Sequence, residues 1–213
     1  MDTFVVRVWV PDRPGALGQV ASRIGAVGGD VVGIEILERG AGMAIDELVV
    51  TLPGSDVVDL LVAEVSQVDG AAVEEVRAVD PSRPDSSIVA LQAAARLVDV
   101  EPPKRLDQLC REMVDLVDGA WAAAIVLSPP RTLVEFGEAP EAGWLAAFIE
   151  GSRHLAPGDR DAAAPPDLAW ARLDNLGVAV AVGRHGWSFR ARERQQLQLL
   201  GQIGSGLLER PAP

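Results

Sequence analysis

The chain has 213 residues, 48% of them apolar, and a formal net charge of −12. This length predicts one or two domains, with enough apolar residues to bury a core. The acidic balance disfavours nucleic acid and anionic membrane surfaces as partners, because both would repel it. A single cysteine excludes an internal disulfide framework. No apolar run is long enough to span a membrane and no signal-peptide pattern is present, so we expect a cytoplasmic protein.

The first 80 residues predict a domain of six elements. Alternating apolar residues predict strands over 4–10, 31–38, 44–52 and 71–78. Apolar residues at helical spacing predict one helix from Leu17 to Val27 and a second from Ser55 to Val65. The resulting order, βαββαβ, is the α+β, ferredoxin-like arrangement. Both helices would cover one face of a four-stranded antiparallel sheet, and its free edge strands favour pairing with a second copy.

The turn between the first predicted strand and helix has features of an anion site. Pro14 suits the first turn of a helix, and Gly15 permits close approach of another molecule. The N–H groups of Gly15, Ala16 and Leu17 would point out of the helix start, where the helix dipole favours an anion. Asp12, just upstream, could hold an ammonium group. A ligand that carries a carboxylate and an ammonium group side by side is an amino acid.

Three short motifs carry a resemblance to a known family. They are Asp12-Arg13-Pro14-Gly15-Ala16-Leu17, Gly29-Asp30-Val31 and Ala44-Ile45-Asp46-Glu47. Together with the order of elements, they resemble an ACT domain over residues 3–79. The resemblance implies a regulatory module that binds an amino acid or a related small ligand, often between two paired copies.

The resemblance also implies a set of ligand-binding residues around the first turn. These are Asp12, Arg13, Gly15, Ala16, Leu17, Asp30 and Val31. Asp12 would hold the ligand amine and the amides of the turn its carboxylate, while Asp30 would reach the ligand from the neighbouring subunit. ACT domains often have Asn at the position of Asp30; Asp lacks the amide donors and favours an amine. Two alternatives stay open: Asp12 as an ordinary helix N-cap, and Asp30 as a turn residue.

The second half predicts a separate domain. The polar segment 81–87, interrupted by proline, indicates a linker between domains 1–80 and 88–213. The elements predicted beyond it are helices over 88–98 and 106–117, strands over 121–128 and 132–137, a helix over 144–149, a loop over 155–166, strands over 168–173 and 178–182, and a long helix opening at Ser188. This order resembles a GAF domain over residues 86–209, most clearly at Trp187-Ser188-Phe189-Arg190-Ala191-Arg192-Glu193.

The GAF resemblance implies an α/β domain with a central antiparallel sheet that senses small molecules or mediates pairing. Its pocket would include Trp144, Phe148, Trp170 and the loop 155–166. For Trp144 and Phe148 we favour the alternative that they are core residues.

No pattern of catalysis is present. The sequence has no G-x-S-x-G, P-loop, G-x-G-x-x-G or C-x-x-C motif, and neither histidine has a partner at metal-ligand spacing. Cys110 lies among apolar residues at helical spacing, which indicates a buried thiol. The run 190–195 alternates arginine with other residues, which predicts a mixed surface rather than a nucleic-acid patch. We expect neither a metal nor a cofactor.

The sequence therefore predicts a non-enzymatic regulator, homodimeric and cytoplasmic. Its ACT-like domain would bind an amino acid or similar zwitterion, and its GAF-like domain would act as a sensor or dimerisation domain. One alternative is a structural interaction or dimerisation module that binds no small ligand and docks onto another protein. Another is a detached regulatory subunit of an amino-acid biosynthetic enzyme.

Overall fold

The structure is a computed structural model that describes residues 1–154 and 165–208. The chain divides into two compact units, Met1–Asp85 and Ser86–Pro213. Most of the predicted loop 155–166 lies outside the described residues. Within the two described stretches, no helix has the length and apolar character needed to cross a bilayer.

The first unit has the predicted βαββαβ order. Its elements are β1 (Asp2–Pro11), α1 (Ala16–Ala26), β2 (Asp30–Gly40), β3 (Met43–Leu52), α2 (Val58–Val65), which follows a 3-10 turn over Ser55–Val57, and β4 (Ala72–Val79). The strands form one antiparallel sheet in the order β2-β3-β1-β4. The ferredoxin-like prediction is confirmed, and it leaves β2 and β4 as the edge strands of this sheet.

One face of this sheet packs against the two helices. Side chains alternate across a strand, so every second residue of β1 contributes to this core. The core residues of β1 are Phe4, Val6, Val8 and Val10, and those of the helices include Val20, Ile24, Leu61 and Val65. The predicted faces of β1 and of the first helix are confirmed by this cluster.

The second unit is another sheet domain with helices on both faces. Its elements are α3 (Ser86–Asp99), α4 (Arg105–Val117), β5 (Trp121–Leu127), β6 (Pro130–Phe136), α5 (Ala142–Gly151), β7 (Leu168–Leu173), β8 (Val178–Gly183) and α6 (Ala191–Leu207). The sheet is antiparallel in the order β6-β5-β8-β7. Helix α3 begins inside the segment 81–87 that the sequence analysis takes as a linker.

The two faces of the second sheet pack against different helices. Residues of α3, α4 and α6 join one cluster, which includes Leu97, Leu109 and Leu200. Residues of α5 join the other, where Phe148 stacks on Trp144 at 5.7 Å and meets Trp170 edge-on at 5.4 Å. Trp144 is 51% exposed, so the interpretation of this residue as core is wrong.

Cys110 is a buried thiol, as its spacing predicted. It is fully buried among the residues of α4 and the sheet. Burial is the largest cause that raises its pKa, to about 12, because the thiolate loses its hydration. A thiol in this state is neither nucleophilic nor readily oxidised at neutral pH.

A buried ion pair lies at the start of α6. Arg184 Nη1 donates to Glu193 Oε1 at 2.7 Å and to the Val117 carbonyl at 2.8 Å. Glu193 also accepts the Arg190 N–H at 2.8 Å, which caps the helix and places its start at Ala191 instead of Ser188.

Arg194 is buried too and donates to the Leu168 carbonyl at 2.7 Å. The prediction of a mixed surface over 190–195 is therefore wrong for Glu193 and Arg194.

Candidate functional site

The turn between β1 and α1 is held by backbone hydrogen bonds. The Asp12 N–H donates to the Gly42 carbonyl at 2.9 Å, which ties the turn to the hairpin between β2 and β3. Gly15 is the N-cap of α1 and has a φ of +84°, a conformation that glycine adopts without strain. A Cβ added at Gly15 would meet no atom of residues 1–154 and 165–208 within 4 Å, so this side of Gly15 is open to an approaching molecule.

The first N–H groups of α1 are in part already engaged. The Ala16 N–H donates to the Arg13 carbonyl at 3.2 Å, and Ala16 is buried. For Gly15 and Leu17, no hydrogen bond from the N–H is found within residues 1–154 and 165–208. The amides left for a ligand carboxylate are therefore those of Gly15 and Leu17, while Arg13 lies exposed beside them.

Asp12 does not cap the helix. Gly15 occupies the N-cap position, and no side chain caps α1. The alternative interpretation of Asp12 as an N-cap is therefore wrong. Its exposed carboxylate lies 4.0 Å from Arg39 Nη1, at the far end of β2. At this distance the two groups attract one another without a direct hydrogen bond.

Asp46 is a residue that the sequence analysis did not assign to the site. It pairs with Val8 of β1 and Ile36 of β2, so its side chain lies on the helix-facing side of the sheet. Only 3% of the residue is exposed, and its buried Oδ1 has no hydrogen-bond donor among the residues that the structure describes. Burial is the largest cause that raises the pKa of Asp46; the charge of Arg39 opposes this rise and that of Asp12 adds to it.

Asp30 and Val31 lie away from the turn in the same chain. Asp30 is opposite Thr51 at one end of β3, whereas Pro11, the residue before Asp12, is opposite Met43 at the other end. Eight residues of extended strand separate these two positions, or roughly 26 Å. The structure therefore brings together the predicted site residues from 12 to 17, and it does not bring Asp30 or Val31 to them within one chain.

The match to a sequence family decides what this first unit is. Residues 4–70 match the model of the ACT domain family. This segment is an ACT domain. The match indicates a regulatory role in which the ACT domain binds a small ligand.

Solved structures similar to the chain resemble it only distantly. An uncharacterized protein from Thermotoga maritima is 21% identical, with a TM-score of 0.30, and the match covers 37% of this chain and 98% of that one. An unknown protein from Galdieria sulphuraria is 13% identical, with a TM-score of 0.33 and coverage of 96% and 92%. A formyltetrahydrofolate deformylase from Pseudomonas putida is 14% identical, with a TM-score of 0.28 and coverage of 45% and 38%. No curated protein matches the chain.

Acidic and basic side chains both lie near the first turn of the ACT domain. Arg39 lies 4.0 Å from Asp12 and its charge also acts on Asp46, and the turn itself carries a second guanidinium, that of Arg13. The segment 1–80 as a whole holds 14 acidic and 5 basic side chains. The acidic segment as a whole thus attracts a cationic group, while the N–H groups at the helix start attract an anionic one.

Proposed function

We propose that this protein is a regulator whose ACT domain binds an amino acid, or a similar small zwitterion, at the turn between β1 and α1. The observation that carries the proposal is the pairing of two opposite features at this turn. Asp12 offers a carboxylate that caps no helix, and Gly15 and Leu17 offer N–H groups at the positive end of α1. A zwitterion satisfies both features at once. No catalytic step and no cofactor form part of the proposal.

The ligand would be shared between two copies of the chain. Strand β2 is an edge strand of eleven residues, and its Val32 and Ile34 are 58% and 54% exposed. Such an edge favours pairing with another strand. If two β2 strands pair antiparallel about a two-fold axis near Glu35, Asp30 of the partner subunit comes opposite Gly40, beside Arg39. Asp30 would then reach the ligand in the way that the sequence analysis expected.

A ligand held by both copies would act as a switch on pairing. Because it binds the paired state better than the single chain, it shifts the equilibrium towards the pair. Few atoms make contact, so we expect a dissociation constant between micromolar and millimolar. We place this regulator in the cytoplasm, where its free cysteine suits a reducing compartment.

The second unit would receive or transmit the signal as a GAF-like domain. Its support is the order of elements, with two helices, a strand pair, a helix, a strand pair and a long final helix. The exposed stack of Trp144 on Phe148 offers an aromatic surface for a flat ligand or for a partner protein.

A thermal-shift screen of the whole chain with the twenty amino acids tests the ligand. We expect at least one of them to raise the melting temperature as its concentration rises, since a ligand stabilises the state that binds it. Replacement of Asp12 by Asn should raise the half-saturating concentration by about tenfold or more, the loss expected for one charge-assisted hydrogen bond.

The matched control is Asp2→Asn, which removes the same charge at the other end of β1. It should leave the response unchanged. If no amino acid raises the melting temperature, or if Asp12→Asn responds like the unaltered chain, the proposed site is wrong.

A second candidate function is a pairing module without a small ligand, and the surface of α3 and α6 favours it. These helices border a groove of about 480 Å³, and its lining includes Leu91, Leu199 and Ile203. All three side chains are exposed. An exposed apolar groove of this kind is typical of a surface that joins a partner.

The oligomeric state of charged variants tests this surface. We expect the chain to be a dimer by light scattering, and the double variant Leu91→Glu, Leu199→Glu to be a monomer if α3 and α6 form the contact, because each carboxylate would be buried in the interface. The variant Ile34→Glu tests the β2 edge in the same way. A dimer that survives in the first variant and is lost in the second assigns pairing to the ACT domain.

A further inference from the structure

Asp46 is anomalous within the core of the ACT domain. The residues of β3 on the helix-facing side are Ala44, Asp46, Leu48, Val50 and Leu52, and Asp46 is the single polar member. Its neighbours in the sheet are Val8 and Ile36. A buried carboxylate without a partner is costly, because neither water nor the protein replaces its hydration. A structural role does not account for this cost, since the Asp46 carboxylate makes no hydrogen bond among the described residues.

The position of Asp46 connects it to the first turn. The next residue of β3 on the same face is Ala44, which lies opposite Val10 at the end of β1 that leads into Asp12. On the neighbouring strand β2, the residue opposite Ala44 is Arg39. The side chains at this end of β3 and at the start of α1 are small. They are Ala44 and Ala16, and neither has the bulk of a core leucine.

The charged neighbours leave Asp46 unsatisfied. Arg39 lies 4.0 Å from Asp12 and is more than half exposed, and it makes no hydrogen bond to Asp46. Asp12, the other charge that acts on Asp46, is also acidic and repels it. The buried Oδ1 of Asp46, which has no donor among the described residues, can therefore accept a hydrogen bond from an added cation.

We propose that Asp46 is a ligand-binding residue, whose buried carboxylate accepts the primary ammonium group of a small ligand that enters at the turn between β1 and α1. Asp12 forms the rim of this site and Asp46 its floor. The inference rests on the proposed amino-acid site and adds an orientation: the ammonium end is buried, and the carboxylate end points outward to the N–H groups of Gly15 and Leu17. The ligand class is then an α-amino acid with a free ammonium group, and N-acylated or quaternary analogues are excluded.

Simple amines test this orientation without knowledge of the natural ligand. The probes are methylammonium, which has an ammonium group and no carboxylate, and tetramethylammonium, which has the charge and no N–H. We expect methylammonium chloride to raise the melting temperature of the whole chain above the effect of equal tetramethylammonium chloride. Asp46→Asn should weaken this response about tenfold or more, as loss of a charge-assisted hydrogen bond does. Asp2→Asn should leave it unchanged.

The outcomes separate the inference from the proposed function. If an amino acid binds and Asp12→Asn weakens it but Asp46→Asn does not, the orientation is wrong and the proposed function stands. If no amino acid binds, yet methylammonium binds through Asp46, the proposed function fails and the ammonium site stands. A Mg²⁺ response that depends on Asp46, without a methylammonium response, overturns the inference in favour of a metal site.

The stability of the free protein gives an independent measurement. Because the buried Oδ1 of Asp46 has no donor within the described residues, Asp46→Asn should melt at the same temperature as the unaltered chain or a few degrees above it. A fall of more than about 5 °C would show that the carboxylate supports the fold, and would overturn the inference.

Discussion

Replacement of Arg184 by Met is expected to cost the second unit about 3–5 kcal/mol of its free energy of unfolding. The guanidinium donates to both oxygens of Glu193, at 2.7 and 2.9 Å, and to the carbonyls of Val117 and Ser188. Without it, the buried Glu193 carboxylate keeps the Arg190 N–H but loses its charged partner, and the two carbonyl groups lose the guanidinium donor. Urea unfolding followed by tryptophan fluorescence reports on this unit, because four of the five tryptophans lie in it.

Two further variants serve as a control and a rescue for this measurement. Lys104→Ala removes an ion pair with Glu101 in which the side chains are 75% and 74% exposed, and it should change the free energy of unfolding by less than about 0.5 kcal/mol. The double variant Arg184→Met, Glu193→Leu removes the stranded charge and should recover part of the loss. If Arg184→Met alone costs less than about 1 kcal/mol, the pair does not support the fold.

The architecture of the first unit could be predicted because its signals are local. Alternating residues in β1 show which face packs against the helices, and the spacing of Val20 and Ile24 shows which side of α1 packs on it. The ion pair of Arg184 with Glu193 could not be predicted in this way. Arg184 follows a strand and Glu193 begins a helix, and only the packing of these two elements shows that both side chains are buried.

In the candidate site, too, some residues could be predicted from a local motif and others could not. Asp12 and Gly15 lie in one turn, so a local motif identifies them. Arg39 and Asp46 come from other strands, and their approach to Asp12 depends on the register of β2 and β3. One signal for Asp46 was present in the sequence, since it interrupts an apolar alternation from Ala44 to Leu52. A polar residue at a strand position where the alternation predicts a buried apolar one is therefore a reason to ask what binds there.

Replacement of Gly201 by Val is expected to lower the free energy of unfolding of the second unit by about 2–3 kcal/mol. Gly201 lies in α6, where the helix crosses β7. A Cβ at this position would be 2.5 Å from the Ala171 Cβ and 3.4 Å from the Met113 Cε. The Ala171 Cβ is attached directly to the strand, so the clash is relieved only if helix and strand move apart. Urea unfolding by circular dichroism measures the loss.

Gly206, in the last turn of the same helix, provides the matched control. A Cβ there would meet no atom of the described part of the chain within 4 Å. Gly206→Ala should therefore raise the free energy of unfolding by up to about 1 kcal/mol, through helix propensity alone. The opposite signs of the two changes separate packing from propensity, because both remove a glycine from α6. If Gly201→Val were as stable as Gly206→Ala, helix α6 could not pack on β7 as closely as the structure has it. The cluster that joins α3, α4 and α6 to the sheet would then need a different arrangement.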